Sequence, residues 1–556
     1  MCEKIHDYVH MHGLRYTFSH GIQKAMESYL GTFQRKWAYL SPSQKELRWQ
    51  QAHPPLAGTI SVVIPVYKPR LSHLEALVNS LRNQSYGDFE VILFEAGGLP
   101  EIRRYLHTVQ DTDSRFRIIL SPDNYGISGN TNRAVEQVCT NWMVLMDHDD
   151  LLPPDALYRL AQEMVKGDAD VIYTDEDKVT ENGRTHTDAH WKPDLSPDTL
   201  RSSNYVCHLL AMRTAMYFTV GGEDPQFDGS QDHDLTLRLM EKTSRIRHIP
   251  GIGYHWRTLR SSASHVNLSA CLEASARAAQ QHTQRMGFPA RVTVEGAALR
   301  FDYDIRDNLQ VEAIVMEEKA GDGAPCVRSL RKSDYPRLHV RTVTAPASQR
   351  LESMNRAAEQ SRADVLLFLD AGIQQVDHST VREMLMYAQR PDVGAVTVPI
   401  LDRRGRVLHA GFALGMDGMA QCLSKGILQK AGGFHQLLLQ THNVSAVSLS
   451  CFMVRKDHFL PFRSICSGPM EMVDWCLCMR DKGYLMVYTP HGAVTGRKTP
   501  YLLLGRKREA ADLKALRDAW GQIEDPYWNP YMRRKAANYQ TVTRREYRRM
   551  KTSNDL

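Results

Sequence analysis

The sequence predicts an α/β fold with open, mostly parallel sheets, organised as two related units in tandem. Short apolar segments alternate with stretches of helical spacing, beginning with residues 60–65 and 74–81. The apolar run 143–146 ends abruptly at Asp147, as a buried strand does at the rim of a sheet. A similar run at 364–370 in the second half of the chain indicates an internal repeat.

The elements of the first unit follow from this alternation. Residues 60–65 suit a short strand that is buried on both faces, and a helix at 74–81 comes next. Strand, helix and strand joined by short links form right-handed parallel crossovers, and such sheets bind ligands at the carboxyl ends of their strands. Further predicted elements are strands at 89–94, 118–120, 142–146 and 170–173 and a helix at 130–138.

The chain is long enough for several domains, because 556 residues exceed what one hydrophobic core organises. We expect the link between the two related units within 299–311. The predicted divisions are a helical extension at 1–57, the first α/β unit at 58–300, the second at 305–500 and a basic helical tail at 501–556.

Composition excludes several classes of protein. Apolar residues make up 42% of the chain and charged residues 24%, as in ordinary folded proteins. No apolar run suits a membrane span and no signal-peptide pattern occurs, so we expect a cytoplasmic protein. Basic residues cluster at 533–551, either as a solvated helix or as a peripheral contact with the anionic inner face of the cell membrane. Nucleic acid is not expected as a partner, since no binding motif for it accompanies the charge.

Three carboxylates follow the predicted strand at 142–146, namely Asp147, Asp149 and Asp150. Residues two apart on a strand point to one side, so Asp147 and Asp149 would face one cavity while His148 faces away. Carboxylates in this arrangement can hold a divalent cation against a polyanionic ligand. The alternative is a solvated turn or the N-cap of the next helix.

Several motifs together resemble the family 2 glycosyltransferases of the GT-A nucleotide-sugar fold, in particular bacterial rhamnosyltransferase-like proteins that build cell-envelope polysaccharide. Their order and spacing carry the resemblance, whereas any one of them alone is a weak signal. The motifs lie at residues 61–67, 124–132, 147–150, 173–178, 229–235 and 254–257.

The resemblance implies transfer of a sugar from a nucleoside diphosphate to an acceptor hydroxyl, with inversion at the anomeric carbon. Asp147, Asp149 and His255 would bind Mg²⁺ or Mn²⁺, which offsets charge on the departing diphosphate. Asp232 would be the general base that takes the proton of the acceptor hydroxyl. The structural alternatives are that Asp232 or Asp234 caps the following helix and that His255 is a packed core residue.

The resemblance also implies which residues contact the nucleotide sugar, at the ends of the first strands and in the segment that follows the third. Glu95 departs from the family pattern, in which Asp follows the second strand; it could accept a hydrogen bond from the base or belong to a plain turn. Asp175 and Asp177 would lie by the donor sugar, with a solvated turn as the alternative. The full set is Pro65, Tyr67, Glu95, Asn124, Asn132, Arg133, Asp147, Asp175 and Asp177.

The second unit resembles the first with its chemistry removed. Asp370 is followed by Ala371 and Gly372, and Glu471-Met472 replaces Gln231-Asp232. Methionine cannot take a proton and glycine offers no side-chain ligand, so we expect no transfer there. His409 and Trp475 are candidates for sugar contact, with core packing as the alternative for Trp475.

The expected function is therefore an inverting, metal-dependent glycosyltransferase that uses a nucleoside-diphosphate sugar. By resemblance, the sugar is rhamnose and the acceptor a cell-envelope polysaccharide or lipid-linked glycan. Two other classes stay open: a noncatalytic carbohydrate-binding or scaffold protein, and a metal-dependent nucleotide-sugar hydrolase.

Overall fold

The computed structural model describes residues 39–258, 267–306, 308–416, 419–466, 469–497, 509–534, 537–542, 546 and 550. Contacts divide the chain into two compact units. Unit 1 comprises residues 1–192, 206–271 and 543–556, and unit 2 comprises residues 193–205 and 272–542.

The elements up to the boundary between the units alternate between strands and helices, as predicted, from residue 60 to residue 179, after which two strands or two helices also follow one another directly. In chain order they are α1 Gln44–Ala52, β1 Ile60–Val66, α2 Leu71–Arg82, β2 Phe89–Glu95, α3 Pro100–Thr112, β3 Phe116–Leu120, α4 Gly126–Val135, β4 Trp142–Leu145, α5 Ala156–Val165, β5 Val171–Val179, β6 His186–His190, α6 Pro197–Ser202, β7 Leu210–Arg213, α7 Thr214–Thr219, α8 Gln231–Lys242, β8 Ile246–Arg257 and α9 Leu268–Arg285.

The sheet of unit 1 has the strand order β3-β2-β1-β4-β7-β5-β6, and β8 pairs with β5. Strands β1 to β4 are mutually parallel, β7 runs antiparallel to both its neighbours, and β8 is parallel to β5. The residues of β1 are almost all buried, because helices cover both faces of the sheet. The predicted α/β class is therefore confirmed, with the carboxyl ends of β1, β2 and β4 on one edge.

Unit 2 begins its own sheet after a hairpin. Its elements are β9 Ala290–Glu295, β10 Ala298–Tyr303, β11 Val311–Glu317, α10 Ala324–Leu330, β12 Leu338–Thr344, α11 Arg350–Gln360, β13 Val365–Asp370, β14 Ile373–Val376, α12 Thr380–Ala388, β15 Val393–Thr397, β16 Ile400–Leu401, β17 Val407–His409, β18 Phe412–Met416, β19 Met419–Cys422, β20 His442–Asn443, β21 Cys451–Arg455, α13 Pro469–Asp481, β22 Leu485–Tyr488, β23 Val494–Gly496 and α14 Glu509–Trp520.

The main sheet of unit 2 repeats the topology of unit 1. Its order is β12-β11-β13-β21-β15-β22-β20, and the strand directions match those of β2-β1-β4-β7-β5-β8 pair by pair. Residues 311–317 and 338–344 form the strands that correspond to β1 and β2, although residues 311–317 do not lead into a Pro-Val-Tyr segment like that at 65–67. A common topology supports the predicted repeat, while the duplication itself stays a prediction.

The units divide earlier than the sequence indicated, inside α9 rather than within 299–311. The hairpin β9-β10 belongs to unit 2 because Arg300 bonds Glu383 at 2.7 Å and the guanidinium of Arg390 lies 5.5 Å from the ring of Tyr303. The hairpin β9-β10 thus directly follows unit 1 in sequence but packs on the core of unit 2. The pattern of predicted strands did not reveal this packing.

The chain ends are only partly described. Within the predicted extension at 1–57, residues 1–38 lie outside the described residues, and α1 begins with a Ser43–Glu46 capping box. The C-terminal segment is not a separate tail as far as residue 542, because Asp525 accepts a hydrogen bond from the Leu414 amide and Tyr539 stacks on Phe434. Within the described ranges, no helix is both long and apolar enough to cross a bilayer.

A buried ion pair anchors the 193–205 segment in unit 2. Asp198 bonds Arg390 at 2.5 Å, Arg201 at 3.1 Å and the Asn443 amide at 2.8 Å, and both Asp198 and Arg390 are 1% exposed. Removal of one partner of such a pair leaves a buried charge uncompensated.

We expect Asp198→Ala to destabilise unit 2 by about 3–5 kcal/mol, measured by native-state hydrogen exchange of β15 amides in urea. Asp392→Ala is the matched control, because Asp392 bonds the same Arg390 at 2.8 Å but is 32% exposed, and its loss should cost at most about 1 kcal/mol. Equal losses for both variants would contradict this assignment.

Candidate active site

Three carboxylates meet at the carboxyl end of β4. Asp147 has a side chain that is 54% exposed, whereas Asp150 is buried and accepts hydrogen bonds from the Tyr254 hydroxyl and the Arg257 amide, both at 2.6 Å. His148 turns to the β1 end, where its Nδ1 lies 3.2 Å from the Pro65 carbonyl oxygen. The segment is an ordered rim of the sheet.

The carboxylates at this rim repel one another. Burial raises the pKa of Asp149, and the charge of Asp147 raises it further. Burial also raises the pKa of Asp150 well above its usual range, with Asp149 and Asp147 adding to the effect. Negative charge that is desolvated and only partly neutralised favours a cation.

Two clusters of metal-ligating side chains occur among the described residues of unit 1. One combines Asp147 and Asp150 with His208, whose Nε2 lies 3.7 Å from Asp147. The other combines Asp177 with His186 and His255. Asp149 belongs to neither, so the structure does not bring the predicted ligand set of Asp147, Asp149 and His255 together.

Sheet register explains where His255 lies. Asp177 on β5 stands opposite His255 on β8, and its two carboxylate oxygens bond Nδ1 of His255 at 2.6 Å and Nδ1 of His186 at 2.9 Å. The Tyr39 ring packs against both imidazoles, with centroid distances of 4.5 and 5.0 Å. His255 is thus a buried partner of Asp177.

Asp175, Glu176 and Asp177 are buried on β5, so the solvated-turn alternative is wrong. Asp175 accepts hydrogen bonds from the Gly251 amide at 2.6 Å and the Lys192 amide at 2.8 Å, and it lies 2.9 Å from Nε2 of His248. Burial would raise the pKa of Asp175, but His248 and these amides outweigh burial and lower it. Asp175 and Asp177 are therefore buried residues whose hydrogen bonds stabilise the sheet.

Lys192 is a buried cation that the sequence analysis missed. Its Nζ bonds Glu176 at 3.0 Å, the Val206 carbonyl at 2.6 Å and the His208 carbonyl, and Glu176 also accepts from the His208 amide at 3.1 Å. The ion pair thereby holds the loop that presents His208 to Asp147. Neither Lys192 nor His208 stands in a motif, so only the folded chain reveals them.

Asp232 and Asp234 have different environments in the first turn of α8. Asp234 is buried and paired with Arg238 one turn later, and Ser230 takes the N-cap position. Asp232 is partly exposed; its Oδ2 accepts a hydrogen bond from the Cys207 thiol at 3.6 Å. Asp234 is the more buried of the two, and Asp232 is the partly exposed one, whose Oδ1 accepts from the His233 amide at 2.9 Å.

Glu223 connects Asp232 with the β4 rim and was also missed. It is 5% exposed, and burial together with the charges of Asp232 and Asp147 raises the pKa of Glu223 to about 8. One carboxyl therefore senses both Asp147 and Asp232, which are far apart in sequence. Cys207 and His208, which are adjacent in sequence, contact Asp232 at 3.6 Å and Asp147 at 3.7 Å, so these two carboxylates border one region.

The residues predicted for nucleotide contact divide into exposed and structural ones. Tyr67 is 42% exposed beside Lys68, and the guanidinium of Arg133 lies 3.5 Å from the Tyr125 ring centroid. Asn124 accepts from the Gly126 amide at 3.2 Å and so closes the turn before α4. Aromatic faces and cations at this edge suit a base and its phosphates.

Two predicted nucleotide contacts are used inside the protein. The Glu95 side chain is fully buried and accepts from the Gly97 and Gly98 amides at 2.7 Å and from Arg103 at 2.6 Å. The Asn132 side chain accepts a hydrogen bond from the amide of residue 223 and donates one to the carbonyl oxygen of the same residue. For Glu95 the contacts favour the plain turn, because both carboxylate oxygens already have donors.

Unit 2 differs at the corresponding positions. Asp370 at the end of β13 lies 3.0 Å from Nη2 of the buried Arg350, and it accepts from the Gly372 amide at 2.7 Å. His409 and Trp475 are at most 1% exposed, so they pack in the core and do not present a sugar-binding face.

The pair of Lys192 and Glu176 gives a pH-dependent prediction. Burial would raise the pKa of Glu176, but Lys192 and two histidines hold it well below its usual 4.5. The pair therefore stabilises unit 1 above about pH 4.5, and this stabilisation is lost as the pH falls below that value.

We expect Lys192→Met to destabilise unit 1 by about 3–5 kcal/mol at pH 7 and the difference from the wild type to shrink below pH 4.5. Denaturant titrations from pH 7 to pH 3 measure it. The exposed Lys166, paired with Glu163, supplies the control variant Lys166→Met, which should leave stability unchanged. A difference that is constant with pH would contradict the role of Glu176.

Comparison with known proteins agrees with this architecture. The family model described as Glycosyl transferase family 2 matches residues 61–219. An uncharacterized protein, y4gI, of Sinorhizobium fredii is 30% identical over 538 residues, which cover 85% of this chain and 57% of the relative. The O-antigen biosynthesis protein RfbC of Myxococcus xanthus is 29% identical over 519 residues, covering 85% of this chain and 40% of the relative.

The chain thus spans about half the length of these relatives. Among solved structures, S. aureus TarS 1-349 in complex with UDP-GlcNAc is 17% identical and covers 40% of this chain and 66% of its own, with a TM-score of 0.34. The matched residues 61–219 include the β4 rim, the β5 carboxylates and the loop of His208. Residues 61–219 thus form a domain that matches glycosyl transferase family 2.

Proposed function

We propose that unit 1 transfers a sugar from a nucleoside-diphosphate sugar to an acceptor hydroxyl, with inversion at the anomeric carbon. The observation that supports this most is that two adjacent residues link the carboxylates: the Cys207 thiol donates to Asp232 at 3.6 Å, and the His208 imidazole lies 3.7 Å from Asp147. A rim of carboxylates at strand ends and a partly exposed carboxylate on the next face are what a donor diphosphate and an acceptor hydroxyl require.

The donor set at the β4 rim fits a hard divalent cation such as Mg²⁺ or Mn²⁺. Carboxylate oxygens dominate, with one imidazole from His208, and the raised pKa of Asp149 and Asp150 marks charge that a cation would offset. We assign Asp147, Asp150 and His208 to this role, with Asp149 beside them as a further source of negative charge. When bound, such a cation neutralises charge on the departing diphosphate.

Asp232 acts as the general base in this proposal. Its carboxylate takes the acceptor proton while the acceptor oxygen forms the new glycosidic bond. The bond from the anomeric carbon to the diphosphate oxygen breaks on the opposite face, and the diphosphate leaves with the electron pair. The Cys207 thiol, which donates to Oδ2, keeps the carboxylate in place.

The donor sugar and the acceptor are narrower proposals. We propose rhamnose carried by dTDP as the donor, on the motif resemblance, and a cell-envelope polysaccharide or lipid-linked glycan as the acceptor, in keeping with the name of the O-antigen relative. Tyr67 and Arg133 would contact the nucleotide. Unit 2 performs no transfer in this proposal, because Met472 cannot accept a proton and Arg350 already neutralises Asp370.

Asp149→Ala should lose cation-dependent binding of diphosphates, whereas Asp232→Asn should bind them normally and lose turnover by roughly 10²–10⁴-fold. Calorimetry with UDP, GDP and dTDP, each with and without Mn²⁺, measures the first effect. Product analysis with UDP-N-acetylglucosamine, GDP-mannose and dTDP-rhamnose measures the second.

Asp168→Asn is the control for both measurements, since Asp168 is 48% exposed and precedes β5, away from the carboxyl ends of the strands. Equal loss of binding in both test variants would refute the division of roles. No heat from any nucleotide would favour the noncatalytic protein, and free sugar irrespective of acceptor would favour the hydrolase.

The membrane contact proposed for the basic C-terminus is tested by a truncation that spares the buried residues at the end of unit 2. Met532 and Tyr539 are buried, so a cut before them would disturb unit 2. Removal of residues 543–556 should weaken binding to phosphatidylserine vesicles at low salt and leave binding to neutral vesicles unchanged. Unchanged sedimentation with anionic vesicles would favour the solvated alternative.

A further inference from the structure

Arg103 lies between the carboxyl ends of two neighbouring strands. Its Nε donates to Oε2 of Glu95, the last residue of β2, at 2.6 Å, and its Nη2 donates to the Ser121 carbonyl, just after β3, at 2.8 Å. The Glu95 side chain is fully buried, whereas 32% of the Arg103 side chain is exposed. The fold therefore holds this guanidinium at the edge of the sheet where open α/β proteins bind their ligands.

Two glycines connect the guanidinium with the end of β1. A Cβ on Gly97 would lie 2.7 Å from the Lys68 amide nitrogen, so the two segments of backbone approach each other closely. A Cβ on Gly98 would lie 4.0 Å from Nη2 of Arg103. Tyr67, which is 42% exposed, directly precedes Lys68. An exposed aromatic ring and an exposed guanidinium thus flank these two glycines at one edge of the sheet.

The guanidinium of Arg103 has donors left for a ligand. It carries five N–H groups, and the bonds to Glu95 and Ser121 use two of them. In the part of unit 1 that the structure describes, this guanidinium forms no further hydrogen bond, so three N–H groups stay available. Arginine has no acceptor, so a ligand atom that bonds Arg103 has to be an acceptor.

The charge balance favours a nucleobase over a phosphate as this ligand. The carboxylate of Glu95, 2.6 Å away, offsets the charge of Arg103, so the pair presents directed N–H groups with little net charge. A polyanion gains most from a cation whose charge is not already offset. A nucleobase is neutral and needs directed hydrogen bonds, and the neighbouring Tyr67 ring offers it a face for stacking.

We propose that Arg103 is a specificity-determining residue that donates to a keto oxygen on the base of the donor nucleotide. This inference rests on the proposed function. The keto oxygen is O4 of thymine or uracil or O6 of guanine, and the chemistry is the same for each. Cytosine and adenine carry an amino group at the corresponding position, which would place two donors face to face.

Pairs of nucleotides that differ in this one group test the inference. UDP and CDP differ at C4 and in the proton at N3, and dTDP and 5-methyl-dCDP do so for a deoxynucleotide. IDP and ADP form the purine pair. We expect calorimetry of the full chain with Mn²⁺ to show, in at least one pair, roughly 10- to 100-fold tighter binding of the keto member. The pair that shows the difference identifies the base.

Two variants separate base recognition from the support of Glu95. Arg103→Met removes every donor. In the double variant Arg103→Met with Glu95→Gln, the Gln oxygen can still accept from the Gly97 and Gly98 amides, and no buried charge stays unpaired. We expect both variants to bring the ratio of the two dissociation constants within about threefold of one, because keto binding weakens. Arg104→Met is the matched control, since Arg104 is the exposed neighbour on α3, and it should keep the wild-type ratio.

A purely structural role of Arg103 predicts a different pattern. A disturbed sheet edge would weaken keto and amino nucleotides equally and leave their ratio unchanged. Unchanged ratios in the variants, or wild-type ratios close to one in every pair, overturn the inference. A wild type that binds none of these nucleotides defeats the proposed function and the inference with it, whereas binding with unchanged ratios defeats the role of Arg103 alone.

Discussion

The buried ion pair between Lys192 and Glu176 is the constraint on which the candidate site depends. Two ions taken out of water are stable only when further hydrogen bonds complete their shells, and here the carbonyls of residues 206 and 208 and the amide of His208 do so. These groups form the loop beside the β4 rim. The charge pair inside the sheet therefore places His208 near Asp147 and Cys207 near Asp232.

The acidic residues of unit 1 fall into two electrostatic classes. On β5, every carboxylate has a cationic or imidazole partner: His248 for Asp175, Lys192 for Glu176 and two imidazoles for Asp177. At the end of β4, burial raises the pKa of both Asp149 and Asp150. The charge of Asp147 raises both pKa values further, and the charge of Asp149 also raises that of Asp150. The first class is neutralised by the fold, whereas the second keeps carboxyls that burial and like charge disfavour in the ionised form. The presence of an acidic residue in a sequence motif does not show which of the two classes it belongs to.

Patterns of neighbouring residues in the sequence predicted the features that depend on neighbouring residues, such as the positions of strands. Apolar segments located β1 to β5, and the abrupt change at Asp147 located the carboxylates at the end of β4. The pairing of strands that are distant in sequence could not be predicted. His255 faces Asp177 because β5 and β8 pair, and nothing in residues 254–257 indicates that pairing. Glu223 was missed for the same reason, since a glutamate after two glycines resembles a surface turn until Thr131 and Asn132 enclose it.

Unit 2 shows by contrast what the β4 rim of unit 1 lacks. Asp370 ends β13 as Asp147 follows β4, and both strands neighbour the first strand of their sheets. In unit 2 the buried guanidinium of Arg350 lies 3.0 Å from Asp370, and burial raises the pKa of Glu471, on the helix that corresponds to α8, to about 7. Because the guanidinium of Arg350 is part of the chain, it stays paired with the carboxylate of Asp370. In unit 2 the carboxyls at these positions are neutral or paired, whereas Asp147 of unit 1 keeps an exposed side chain, 3.7 Å from the imidazole of His208.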